Sequence, residues 1–126
     1  MWRYYNPNPC GRNEPDCAVR ALCAALDIDW DTAHEMVCDM SRQMCTMPMS
    51  DAAWGAVLRS HGFVRTIIPN TCPDCYTAGD FAKDFPHGTY VLAFGGHVAT
   101  VRDGVLLDSY DTSAEIPAYM WMKIER

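Results

Sequence analysis

The chain has 126 residues, 49% of them apolar, with a formal net charge of −6 and a sequence pI near 4.9. That length suits one domain burying roughly two-thirds of its unfolded surface without covalent staples, and the acidic balance, with Lys and Arg only as isolated residues, excludes the basic footprint a nucleic-acid backbone requires. No apolar run approaches a membrane span, and the start, MWRYYNPNPCG, lacks a basic stretch leading into an apolar one, so a cytoplasmic protein with no membrane partner is expected.

The first fifteen residues are rich in Asn, Pro and Gly, which favour turns and remove donors, and predict an ordered loop or an edge segment. From Asp16 to Leu26, DCAVRALCAAL places Val19, Leu22, Cys23 and Leu26 at helical spacing beneath a run of Ala, with Pro15 and Asp16 as start signals. A second helix is predicted from Trp30 to Gln43 with Asp29 as its cap. A third, DAAWGAVLRSHG, is opened by Ser50 and ended by Gly62. After Gly62 the period changes. FVRTII reads as a strand, Thr77 to Phe85 as a short helix capped by Thr77, and GTYVLAFGG, HVATVRD, VLLDSYD and YMWMKIE as four strands. Gly95-Gly96 and Asp103-Gly104 are the turns, the latter a strong hairpin signal. The expected class is α+β, with N-terminal helices packed on a C-terminal antiparallel sheet in a single domain, residues 1–126.

Seven cysteines are too many to ignore and, being odd in number and partly helical, do not read as a secreted disulfide framework; reduced thiols are expected. Cys17 falls in the first turn of the first helix, where unpaired N–H groups and the positive end of the dipole favour a thiolate. A small buried hydrophobe is the alternative at that position. His97 follows Gly95-Gly96 at the start of HVATV, beside a turn whose missing side chains leave room for a substrate. Pairing about Asp103-Gly104 sets Val105 opposite Arg102 and brings Asp108 near Ala99, within reach of His97 on the neighbouring strand. Asp108 is thereby placed to orient an imidazole, whereas Asp111, in DTSAE, is expected to cap a turn.

A cysteine at a helix start, a His on a mid-sheet strand and an Asp on the next is the chain order of papain-like peptidases. The segments GRNEPDCAVRAL and GTYVLAFGGHVATVRDGVLLDSYD resemble the two signature blocks of small bacterial or prophage-encoded papain-like proteins. The resemblance implies a papain-like fold, Cys17 as nucleophile, His97 as general base and Asp108 as orienter. It also implies an oxyanion donor before the cysteine, where papain-like enzymes usually place Gln or Asn. No Gln precedes Cys17; Asn13 is the best substitute, with Asn6 and Asn8 behind it. Asp16 departs from the pattern, since a carboxylate beside the thiolate raises the thiol pKa.

The function so implied is thiol-dependent hydrolysis of a peptide or protein substrate, as peptidase, isopeptidase or amidase, with no cofactor. Two alternatives stand beside it: a catalytically inactive papain-like domain that binds a protein partner, and a zinc-stabilised module. Cys72-Pro73-Asp74-Cys75 is half of a zinc site that Cys38 with Cys45, or His34, would have to complete; the plainer expectation is no metal and two unrelated thiols in an exposed turn. Met36, Met40, Met44, Met47 and Met49 pack a core or line an adaptable groove, and Trp2, Tyr4, Tyr5, Tyr119 and Trp121 wall a cleft or clamp the termini. Arg20, four residues after Asp16, is expected to pair with it structurally.

Overall fold

The computed structural model describes residues 1–69, 72 and 74–124. Asn70, Thr71 and Pro73, around the CPDC segment, and Glu125, at the end of YMWMKIE, lie outside the described residues. In chain order the elements are β1 (Trp2–Tyr4), α1 (Cys17–Leu26), α2 (Trp30–Gln43), α3 (Asp51–Ser60), β2 (Phe63–Thr66), α4 (Ala78–Asp84), β3 (Thr89–Phe94), β4 (His97–Arg102), β5 (Val105–Asp108) and β6 (Tyr119–Lys123).

The helix starts follow the expected chemistry. Asp29, Ser50 and Thr77 each accept a hydrogen bond from a backbone N–H of the first turn, and Thr77 forms a reciprocal capping box with Asp80. Asp16 is the exception: it occupies the cap position of α1, but its carboxylate makes no capping bond. α1 is buried along almost its whole length, from Ala18 to Ala25. Its run of Ala permits that, because small side chains let one helix lie close to the sheet on one side and to α2 and α3 on the other.

The strands form one six-stranded sheet in the order β1-β5-β4-β3-β6-β2. This corrects the expected antiparallel sheet: β1 runs parallel to β5, pairing Trp2 with Leu106 and Tyr4 with Asp108. The β4–β5 hairpin leaves the outer side of β5 unpaired, and the Trp-Arg-Tyr segment, with two aromatic residues of high strand propensity, fills it before Pro7 and Pro9 end any strand. The remaining pairs are antiparallel. Arg102 lies opposite Val105, as the Asp103-Gly104 turn requires, and both turn residues have positive φ (49° and 78°), the conformation that matches the twist of a hairpin.

Both faces of the sheet are covered. Val91, Ala93, Val98 and Trp121 join the core beneath α1–α3, whereas Leu92, Phe94, Ala99, Val101, Leu106 and Met120 pack under α4. Burial on both sides explains why β3 reads as a continuous apolar run and not as an alternating one. Several strands are shorter than the sequence suggests: Ile67, Ile68, Ser109 and Tyr110 fall outside them. Met36 and Met40 pack on the core, whereas Met44, Met47 and Met49 are exposed.

Candidate active site

Cys17 opens α1, His97 opens β4 and Asp108 closes β5, and the fold brings the three together. Thr100 lies opposite Leu107, which carries Asp108 to the level of Ala99, two residues along the strand from His97. His97 Nε2 lies 2.7 Å from Asp108 Oδ2, and His97 and Cys17 influence each other's titration. The rings of Phe94 and Tyr110 flank the imidazole at centroid distances of 5.9 and 5.3 Å.

Burial pushes the Cys17 thiol up, but the hydrogen bond and charge of His97, the backbone N–H of Val98 and the Arg20 guanidinium outweigh it and hold the thiol below its ordinary value. Burial works to lower His97, yet bonds to Asp108 and Cys17 raise it to about 9. Burial likewise works to raise Asp108, and His97, Ser109 and Arg20 keep it below the usual carboxylate range. All three directions favour the charged forms: thiolate, imidazolium and carboxylate.

Asp108 is fully buried and its carboxylate is saturated. Oδ1 accepts from Arg20 Nη2 at 3.0 Å and from the Ser109 N–H at 2.8 Å, while Oδ2 meets His97 and accepts from Thr112 Oγ1 at 3.0 Å. Its carbonyl accepts from Tyr5 N and from Trp2 Nε1, so β1 secures the backbone of the same residue. Arg20 pairs with Asp16 as expected, at 2.7 Å, but reaching Asp108 with its other nitrogen was not foreseen. Nor were the roles of Thr112 and Trp30, whose indole N–H donates to Asp16 Oδ2 at 2.9 Å. Asp16, expected to oppose the thiolate, has one oxygen on Arg20 and the other on Trp30, and its charge is spent there.

Cys17 and His97 line a cleft of about 570 Å³ that also takes in Asn13, Asp51, Trp54 and Gly96. Of the oxyanion candidates, Asn6 and Asn8 serve the turns of residues 6–12: Asn6 accepts from Asn8 N and donates to Arg12 O, and Asn8 accepts from Cys10 N. Asn13 alone of the three lines the cleft, and among the described residues its amide engages no other group. A larger recess of about 690 Å³ lies beyond Glu14 and Pro15, between Trp30, Val37 and the exposed Met47; it holds neither Cys17 nor His97.

The remaining expectations sort as follows. Asp111 caps its turn, accepting from Ser113 N. Cys72 and Cys75 are joined by a disulfide, which corrects both the expectation of reduced thiols and that of two unrelated ones; a three-residue separation brings them within bonding range, with Cα atoms 5.5 Å apart. The other five cysteines, Cys10, Cys17, Cys23, Cys38 and Cys45, are free. Among the described residues no helix is long and apolar enough to cross a membrane. Compared with protein-family models, with curated proteins and with solved structures, the chain matches none.

Proposed function

We propose that the protein is a thiol-dependent hydrolase of papain-like design, acting on an amide bond of a peptide or protein through a thioester. The observation that carries this reading is Cys17 and His97 lining one open cleft, with His97 hydrogen-bonded from behind to the buried Asp108, the thiol pushed down and the imidazole pushed up. In the proposed reaction the Cys17 thiolate attacks the carbonyl carbon, forming the C–S bond as the carbonyl electron pair moves to oxygen. The Cys17 N–H, one of the unpaired donors of a helix start, and the Asn13 amide receive that oxyanion. Collapse expels the amine, which takes its proton from His97. A water then gives a proton to His97 and attacks the thioester, releasing a carboxylic acid and restoring the thiolate. The five free thiols, two of them exposed, favour a reducing, cytoplasmic setting, and the Cys72–Cys75 disulfide speaks against it.

The test is the rate of iodoacetamide labelling, located by mass spectrometry. Labelling concentrated at Cys17, fast at neutral pH and lost in His97→Ala, supports the reading; slow labelling indifferent to His97 overturns it. A non-catalytic binding domain is the second reading, favoured by the exposure of the Asn13 side, where papain-like oxyanion donors would have to be held in place. It is distinguished by a Cys17 that labels slowly and with no dependence on His97. The zinc module loses its support, because the sulfurs of Cys72 and Cys75 are bonded to each other.

A further inference from the structure

We propose that Arg20 is a positioning residue for the Cys17–His97 pair: its guanidinium fork, held from behind by Asp16, fixes the Asp108 carboxylate against which His97 is aligned. The proposal rests on the reading of Cys17 as a nucleophile activated by His97.

Arg20 stands on α1 one turn beyond Cys17, and its side chain is 5% exposed. One arm of the fork meets Asp16 at 2.7 Å and the other meets Asp108 at 3.0 Å. A planar fork with both arms engaged cannot rotate without breaking a bond, and Trp30 in turn holds Asp16. The guanidinium thus joins the helix that carries the nucleophile to the strand end that carries the orienter. It also divides the carboxylate: Arg20 and Ser109 occupy Oδ1, leaving Oδ2 for Thr112 and the imidazole. Turning the carboxylate would sacrifice bonds on both oxygens at once.

Charge makes the same demand. Asp16, Arg20 and Asp108 are all buried, and their charges leave one negative charge that a protonated His97 balances. Without Arg20, two buried carboxylates would be left with no buried cation but the His97 imidazolium beside Asp108, and one of them would take a proton. A protonated Asp108 would donate where it must accept. A purely structural ion pair carries no such requirement, since buried pairs replaced as a unit by apolar groups often cost little stability.

The experiment compares the pH dependence of Cys17 alkylation by iodoacetamide in wild type, Asp16→Asn/Arg20→Met, Arg20→Lys and His97→Ala, alongside thermal unfolding. The double variant removes the ion pair as a unit and leaves the buried net charge unchanged. The groups facing Cys17 are His97 from β4, Arg20 from α1 and Tyr110 after β5, while Glu14 and Asp51 line the same cleft. The double variant is expected to fold, with the acid limb of the labelling curve displaced upward and labelling at about pH 6 slowed roughly tenfold, the effect of a one-unit rise in thiol pKa. Arg20→Lys, which keeps the charge but not the fork, falls between. A wild-type profile in the folded double variant and in Arg20→Lys overturns the proposal. If the double variant does not fold, Arg20→Lys decides: an upward displacement supports positioning and a wild-type limb overturns it. A failure of the nucleophile reading is recognised separately, in wild-type labelling that His97→Ala does not alter.

Discussion

Tyr5 donates its backbone N–H to the carbonyl of Asp108 at 2.8 Å, so the first strand of the chain is fastened to the residue that holds His97. Trp2 adds an indole N–H to the same carbonyl at 3.3 Å. Trp2→Phe keeps an aromatic ring but loses the pyrrole part of the indole and with it that donor. Because Tyr5 still satisfies the carbonyl, denaturant unfolding is expected to show a loss of about 0.5–1.5 kcal/mol, with Cys17 labelling preserved. A loss beyond about 3 kcal/mol would mean that Trp2 acts mainly through packing.

Thr112→Val nearly conserves shape but removes the hydroxyl donor from Asp108 Oδ2 inside a fully buried site. Hydrogen bonds to a charged group carry more weight than neutral ones, and the expected loss is about 1.5–3 kcal/mol. Ser109→Ala, by contrast, is expected to leave stability within about 0.5 kcal/mol of wild type, because Ser109 serves the carboxylate through its backbone N–H. Equal effects in the two variants would contradict the described hydrogen bonding.

Asp108→Asn removes the anion that raises His97. NMR titration of the His97 ring is expected to move from about 9 toward the ordinary value of 6.5, with Cys17 labelling slowed at neutral pH. The same shift sets a stability window. A raised folded pKa means that the native state binds more protons than the unfolded one between pH 6.5 and about 9. The contribution of His97 is therefore complete below that window and lost as pH rises through it. The difference in unfolding free energy between wild type and His97→Gln should shrink across the window; a constant difference would show that His97 gains no proton affinity on folding.

How much of this was legible in the chain varies with distance. The caps at Asp29, Ser50 and Thr77 and the Asp103-Gly104 turn are local chemistry, and the pairing of Arg102 with Val105 follows from that turn. The turn also fixes the neighbourhood of His97 and Asp108, which is why those two could be named together. Asp16 and Arg20 share a helix face, so half of that cluster was visible in their spacing; the contact from Arg20 to Asp108 spans 88 residues and leaves no local trace. β1 was legible only as an ordered loop or an edge segment, and it is an edge strand; three residues between chain start and proline-rich loop carry no periodicity to say more.

Gly55 faces Trp121 closely enough that an added Cβ would lie 2.9 Å from the indole ring. That ring meets Trp54 at a steep interplanar angle and carries the guanidinium of Arg59 over it. Gly55→Ala gains about 1 kcal/mol of helix propensity but overpacks the helix–sheet contact at a cost of about 1–3 kcal/mol. A net destabilisation of about 1 kcal/mol is expected from thermal unfolding; a stabilised variant would show that the ring has room to move.

Cys17 and His97 stand 80 positions apart in the chain, with Asp108 further on still. During synthesis the thiol emerges well before the groups on β4 that lower its pKa. Until that strand forms, Cys17 has the reactivity of any thiol in a peptide. Completion of the sheet is therefore what sets this thiol apart from the other free ones: the surroundings that lower its pKa exist only inside a finished fold, and on the proposed reading the nucleophile is made there.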